Sequence, residues 1–150
     1  MAETMTAELI TAPVIEIQLM GEMRELRFDN RAAMMAERYW RETTGQRVSY
    51  FFILGEVNAR TYGGLMAVAY GALASAEMRR NLSRTAPKAI TSVRAFEEGA
   101  GFDEILGAME EIRTAVDSSL PRPPKNAESP ATSGADGPGT ASPDDGSRPE

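Results

Sequence analysis

The stretch "ELRFDNRAAMMAERYWRETTG", from Glu25 to Gly45, joins two kinds of secondary structure and decides the fold class. It begins with alternating residues that suit a strand, passes Asp29 and Asn30, and becomes a run rich in methionine and aromatic residues. Asp29 or Asn30 can cap a helix by accepting a hydrogen bond from a backbone N–H of its first turn. Gly45 is the expected helix end, because glycine adopts the left-handed conformation without a Cβ clash. The stretch therefore predicts a strand followed directly by a helix.

The predicted helix carries more large apolar side chains than one narrow face can bury. Ala32, Met35 and Tyr39 recur at helical spacing, so we expect Met35 and Tyr39 to lie in the core. We expect Met34 and Trp40 to lie nearer a rim or a contact surface. Methionine adapts to varied apolar partners, and tryptophan is enriched in interface hot spots. The alternative is that the whole group is core, packed on the preceding hairpin.

Upstream, the stretch "VIEIQLMGEMRELRF" predicts a β-hairpin. Its apolar residues alternate with polar ones, which is the period-two pattern of a half-buried strand. Gly21 and Glu22 are the predicted two-residue loop, with glycine first as a type II′ turn requires. The resulting register pairs Met20 with Met23, Ile17 with Leu26 and Ile15 with Phe28. Because a lone two-stranded hairpin is only marginally stable, helices must cover its apolar face.

Downstream, the sequence predicts further helices. The segment 48–57, within "VSYFFILGEV", fits a strand by composition but lies between two helices, and we favour a short buried helix. Asn58 or Thr61 begins the next helix, in which small residues at three- and four-residue spacing indicate close packing (Gly64, Ala67, Gly71 and Ser75). Thr85 is the expected N-cap of "APKAITSVRAFEEGA", whose buried stripe is Ile90, Val93 and Phe96. A last helix opens at Asp103, buries Ile105, Met109, Ile112 and Val116, and ends by Leu120.

The fold class predicted from these elements is mainly α. An N-terminal β-hairpin packs on a small bundle of about four to five helices, and a disordered C-terminal tail follows. The expected organisation is a flexible N-terminus at 1–12, the hairpin and helical domain at 13–120, and a disordered tail at 121–150. The tail is rich in Pro, Gly, Ser and Asp and has no aromatic residue, so it buries too little apolar area to offset its ordering entropy.

Composition argues against several classes of function. The chain has neither cysteine nor histidine, so thiolate nucleophiles, histidine bases and nearly all zinc sites are excluded. Its net charge of −6 disfavours nonspecific binding to nucleic acid or anionic lipid. The basic cluster Arg79, Arg80 and Arg84 is weak evidence for phosphate contact in so acidic a chain. The longest apolar run, 65–76, is too short to span a bilayer. We expect a soluble intracellular protein that is not an enzyme and uses no cofactor.

Two acidic helices close the ordered part of the sequence. Between residues 86 and 120 there are three basic and seven acidic residues. Adjacent carboxylates such as Glu110 and Glu111 diverge on a helix and cannot share one proton or metal ion. An acidic helical surface suits a basic partner protein, and simple solubility is the alternative. The candidate partner-binding residues are Met34, Trp40, Phe51, Phe52, Glu110 and Glu111.

The order of the parts resembles that of a known family. The hairpin runs through "LRF" into a capped helix ending "ETTG", and "LMAVAYGALASAE", "TAPKAITSV" and "FDEILGAMEEIRTAV" follow before a Pro-rich tail. From Ile15 to Leu120 this order resembles the tail assembly chaperones of long-tailed bacteriophages and related gene-transfer-agent proteins.

The resemblance implies a role in binding rather than catalysis. Such chaperones bind the long, helical, aggregation-prone tape-measure protein and help recruit tail-tube subunits in the host bacterial cytoplasm. They are absent from the mature virion, and many are also made in a frameshifted, longer form. The alternative is a small helical protein-binding adaptor or regulator unrelated to phage assembly, and self-association is left open.

Overall fold

The computed structural model describes residues 12–120, in which two strands and six helices follow one another. The strands are β1 (Val14–Leu19) and β2 (Glu22–Arg27). The helices are α1 (Asn30–Thr44), α2 (Tyr50–Asn58), α3 (Tyr62–Asn81), α4 (Val93–Gly99), α5 (Phe102–Gly107) and α6 (Met109–Ser119). The mainly α fold with an N-terminal antiparallel hairpin is confirmed. The predictions of a flexible start and a disordered tail concern 1–12 and 121–150, which lie outside the described residues except for residue 12.

The hairpin forms, but its predicted turn is wrong. The two loop residues are Met20 and Gly21, with φ angles of 54° and 84°, so both take the left-handed conformation that a type I′ turn requires. The register pairs Ile15 with Leu26, Ile17 with Arg24, and Leu19 with Glu22. This register differs from the predicted one by two residues, so every side chain keeps its face. The buried face consists of Ile17, Leu19, Leu26 and Phe28.

Helix α1 begins and ends where the sequence predicts. The Asp29 Oδ1 atom accepts a hydrogen bond of 2.9 Å from the Ala32 N–H, which makes Asp29 the N-cap. Gly45 has a φ of 80° and donates its N–H to the Arg41 carbonyl oxygen. The core-facing residues are Ala32, Met35, Ala36 and Tyr39, as expected from their spacing.

Helix α3 is the centre of the fold, and it packs against α1, α2, β2, α5 and α6. Every residue from 64 to 76 is buried. A Cβ added to Gly71 would overlap the carbonyl oxygen of Ala32 and lie 2.9 Å from the Ala36 nitrogen. The small residues of α3 therefore allow the backbone of α1 to approach closely, as the sequence predicts.

Segment 48–57 is helical over most of its length, as predicted, but the expectation that it is buried is wrong for one face, because Phe51 and Phe52 are exposed while Ile53 and Val57 are buried. Ser49 caps α2 by accepting a hydrogen bond of 3.2 Å from the Phe52 N–H. Thr61, rather than Asn58, caps α3 by accepting one of 3.2 Å from Gly64. The Glu37 carboxylate also accepts the Tyr50 N–H at 2.7 Å, which ties the start of α2 to α1.

Two predictions about the later helices are wrong. Thr85 caps no helix, and α4 begins at Val93 with Ser92 as its N-cap. The preceding backbone is held by side chains of α3 instead: Asn81 bonds both the N–H and the carbonyl of Lys88, and Glu77 accepts from Thr91. The last helix is divided at Ala108 into α5 and α6, and α5 begins at Phe102.

The predicted apolar stripes survive these changes. Val93 and Phe96 are buried, and Ile90 packs against the core although it precedes the helix. In α5 and α6, Ile105, Ile112 and Val116 are buried, while Met109 is half-buried. The periodicity therefore identified the core-facing side chains correctly even where the helix boundaries differ.

Candidate partner-binding surface

Helices α1, α3 and α4 enclose a cleft on the surface, which we call the aromatic cleft. Its volume is about 310 Å³. The lining residues are Tyr39, Trp40, Thr43, Thr44, Tyr62, Gly63, Met66 and Glu97. Three of these residues are aromatic and one is charged. The backbone of Gly63 lies beside the Trp40 ring, since a Cβ added to this glycine would be in ordinary contact with the ring at 3.8 Å.

One wall of the cleft continues onto helix α2. The half-buried Trp40 ring meets the Phe52 ring edge to face, with centroids 5.5 Å apart and an angle of 81° between the rings. Phe52 is itself exposed, and the neighbouring Phe51 is 80% exposed. Aromatic pairs of this geometry are stabilising beyond their buried area. Trp40 and Phe52 therefore hold each other in place while leaving apolar surface in contact with water.

The other wall continues onto helix α5. The Tyr62 and Phe102 rings have centroids 5.0 Å apart, and Phe102 is 59% exposed. We call the surface formed by Phe52, Trp40, Tyr62 and Phe102 the aromatic band, and Phe51 adds a further exposed ring on α2. It contains an aromatic pair on each side of the aromatic cleft. An apolar surface of this kind is typical of interaction sites in soluble proteins.

The inner end of the cleft belongs to the core. Tyr39 is buried, and its ring lies 5.5 Å from that of Tyr70 and 6.1 Å from that of Phe96. Burial raises the pKa of the Tyr39 phenol, and the nearby Glu97 carboxylate and Tyr62 raise it further. Tyr39 is therefore a neutral wall of the cleft, and the Glu97 carboxylate lies near its hydroxyl group.

Met34 is separated from Trp40 by the geometry of α1. Met34 is 67% exposed and lines a different cavity, of about 360 Å³, together with Asp29, Asn30, Arg31, Ser75, Arg79 and Leu82. The expected division of α1 is confirmed, since Met35 and Tyr39 are buried, Met34 is exposed and Trp40 is half-buried. The two candidate contact residues of this helix do not, however, form one site.

Glu110 and Glu111 form a third region on helix α6. They line a groove of about 390 Å³ with Pro13, Ile15, Thr114, Ala115 and Ser118. Glu110 is paired with Arg113 at 3.2 Å and lies 3.8 Å from Arg60. The six candidate residues are thus distributed over three places: Met34 in its own cavity, Glu110 and Glu111 in the α6 groove, and Trp40 in contact with Phe52, which Phe51 precedes on α2.

The basic residues of α3 are only partly available for contact with phosphate. Arg80 pairs with Glu25 at 3.3 Å, and Arg79 lines the Met34 cavity.

Over residues 12–120, no group of three acidic side chains converges as a metal site would require. In the same range no helix has both the length and the apolar character needed to cross a membrane.

Sequence reasoning missed four residues of this surface: Tyr62, Met66, Glu97 and Phe102. Tyr62 and Phe102 each begin a helix, where an apolar residue is not part of a complete stripe. Glu97 is indistinguishable in sequence from Glu98, yet Glu98 pairs with Arg94 and only Glu97 lines the cleft.

Comparisons with known proteins found no matching family model, no matching curated protein and no matching solved structure.

Proposed function

We propose that this chain is a tail assembly chaperone of a long-tailed bacteriophage or a related particle. Its aromatic band binds an apolar helical segment of the tape-measure protein. The observation that supports this proposal is the exposure of Phe52, whose ring packs against Trp40, together with that of Phe51 one position earlier on α2. Exposed aromatic rings contribute little to folding, whereas aromatic side chains dominate the energetics of interfaces.

In the proposed mechanism, the aromatic band binds an apolar helix reversibly and shields it from water. A tape-measure helix presents apolar stripes to water until the tail tube encloses it. The aromatic band would receive such a stripe as a groove receives an amphipathic helix, with side chains at i, i+3, i+4 and i+7 as anchors. The acidic surface of α5 and α6 keeps the complex soluble and discourages wrong contacts. Recruitment of tail-tube subunits in the host cytoplasm is the second part of the proposal.

Co-expression with the tape-measure protein encoded nearby tests the proposal. We expect the chain to co-purify with that protein and to keep it soluble. The Phe51→Glu and Phe52→Glu changes should each reduce capture by at least about tenfold, because a charge would be buried in an apolar contact. Met34→Glu is the matched control, since Met34 is also exposed but lies away from the aromatic band.

The outcomes separate the rival interpretations. If the wild-type chain neither captures nor solubilises the tape-measure protein, the proposal is wrong, and a helical adaptor with another partner becomes the better hypothesis. If Met34→Glu abolishes capture and the phenylalanine variants do not, the partner binds at the Met34 cavity instead. Salt-dependent retention on DNA would instead indicate phosphate contact by the arginines of α3.

A further inference from the structure

We propose that the aromatic cleft binds the guanidinium group of an arginine side chain supplied by the partner. The inference rests on the proposed function, because it takes the partner to be bound along the aromatic band. The recognising groups are the rings of Trp40 and Tyr62 and the carboxylate of Glu97. The site thus combines two features that favour a planar cation, an aromatic face and a hydrogen-bond-accepting anion.

The charge of the cleft is the first argument. Glu97 is the only ionisable acid or base among its lining residues, apart from the two tyrosine phenols. Within residues 12–120, Glu97 takes part in no ion pair, whereas the adjacent Glu98 is paired with Arg94 at 3.1 Å. A purely apolar occupant would cover this exposed carboxylate without giving it an ion-pair partner, which is unfavourable. An anionic occupant would be repelled by it.

The hydroxyl groups at the rim also favour a donor. Thr43 and Thr44 donate their hydroxyl protons within their own helix, to the carbonyls of Tyr39 at 2.9 Å and Trp40 at 2.7 Å. Their oxygens are therefore left as acceptors, and Thr44 already accepts from the Gln46 N–H. Of the cleft's lining, the Trp40 Nε1–H is a buried donor with no acceptor among the described residues, while Thr43 and Glu97 present oxygen acceptors. A ligand with several N–H groups can bond to these oxygens.

Arginine fits the site better than lysine. A guanidinium group is planar, stacks on aromatic rings and binds a carboxylate through two parallel hydrogen bonds, whereas an ammonium is a strongly hydrated point charge. The volume of about 310 Å³ is at the lower end of the range for ligand pockets, which suits one side chain rather than a larger molecule. The raised pKa of Tyr39, caused by burial and then by Glu97, agrees with the carboxylate lying close to the aromatic walls.

The fluorescence of Trp40 tests this site directly, because it is the only tryptophan in the chain. The probes are the acetylated, amidated pentapeptide Ala-Leu-Arg-Leu-Ala and its counterpart with neutral citrulline in place of arginine. We expect the arginine peptide to change the fluorescence and to bind at least about fivefold more tightly than the citrulline peptide. Glu97→Gln should abolish this preference, while the matched Glu98→Gln variant should keep it.

Several results would contradict the proposal that the aromatic cleft binds arginine. These are equal binding of the two peptides, an unchanged preference in Glu97→Gln, tighter binding of a lysine peptide, and no binding up to about 10 mM peptide.

Failure of the arginine-site proposal can be distinguished from failure of the proposed function. If Glu97→Gln captures the tape-measure protein as well as wild type does, the arginine site is wrong and the chaperone proposal stands. If the peptide preference holds but the wild-type chain does not capture the tape-measure protein, the chaperone proposal is wrong.

Discussion

The carboxylate of Asp29 joins three parts of the fold. It accepts hydrogen bonds from the Ala32 N–H at 2.9 Å, the Ser75 hydroxyl at 2.6 Å and the Arg27 side chain at 3.3 Å. Burial acts to raise the pKa of Asp29, but the bonds from Ser75 and Ala32 and the Arg27 charge together lower it below its usual value. The charged form is therefore the one that the folded state prefers.

We expect Asp29→Ala to lower the free energy of unfolding by about 2 kcal/mol, from the lost helix cap and the unsatisfied Ser75 hydroxyl. Because the folded-state pKa is lowered, this contribution is present above the unfolded pKa, near 3.8, and is lost as pH falls through the folded value. Urea unfolding at several pH values measures it. Asn30→Ala is the control, and an equal loss in that variant would contradict the assignment of the cap to Asp29.

Gly71 and Gly55 both lie within helices but should respond oppositely to substitution by alanine. A Cβ at Gly71 would overlap the α1 backbone at Ala32, whereas a Cβ at Gly55 meets nothing within 4 Å. We expect Gly71→Ala to destabilise the fold by about 3 kcal/mol through overpacking. Gly55→Ala should stabilise it by up to about 1 kcal/mol through reduced backbone entropy of the unfolded chain. Thermal unfolding of both variants checks this, and a tolerated Gly71→Ala would show that α1 and α3 adjust easily.

At the scale of elements, Glu104 fixes the hairpin turn from a distance. Its carboxylate accepts the N–H groups of Met20 at 2.8 Å and Gly21 at 3.1 Å, and also that of Gly101 at the start of α5. The bond from Gly101 is the largest cause of the lowered pKa of Glu104, and the bonds from Gly21 and Met20 add to it. One side chain thus joins the hairpin to α5.

We expect Glu104→Gln to destabilise the fold by about 1 kcal/mol at neutral pH, since solvent reduces the strength of these charge-assisted bonds. The folded-state pKa is lowered, so the contribution is present above the unfolded pKa, near 4.5, and is lost as pH falls through the folded value. Wild type and variant should therefore converge in stability in acid. A difference that persisted below the folded-state pKa would indicate that packing, not charge, is responsible.

This long-range contact also explains why local rules misplaced the turn. Glycine at the first loop position satisfies a type II′ turn, and nothing near Met20 in sequence shows that a carboxylate more than 80 residues away binds its N–H. The start of α4 was misplaced for the same reason, because Glu77 and Asn81 hold the preceding backbone. By contrast, α1 was predicted at both ends, since Asp29 and Gly45 act on their own helix.

At the scale of the whole molecule, three residues of the candidate surface were named from sequence and four were missed. Trp40 was expected at a rim from the width of one helix face, whereas Phe51 and Phe52 were named as candidates within a segment expected to form a buried helix. Tyr62, Phe102 and Glu97 were missed because they converge only after α3, α4 and α5 pack. Periodicity identifies which face of a helix is buried, but it does not show which exposed residues of different helices become neighbours.

The last prediction separates contact residues from core residues within one helix. Phe51 is 80% exposed and Ile53 is fully buried, although they lie two positions apart in α2. Phe51→Ser should change the free energy of unfolding by no more than about 0.5 kcal/mol, whereas Ile53→Ser should lower it by about 4 kcal/mol through a cavity and a buried hydroxyl.

Denaturant unfolding of both variants, alongside capture of the tape-measure protein by Phe51→Ser, gives the measurement. We expect Phe51→Ser to fold normally and to lose capture, because an exposed ring that is dispensable for folding is available for binding. A Phe51→Ser variant that was strongly destabilised would show that this ring packs against the fold. The contact surface on α2 would then be limited to Phe52.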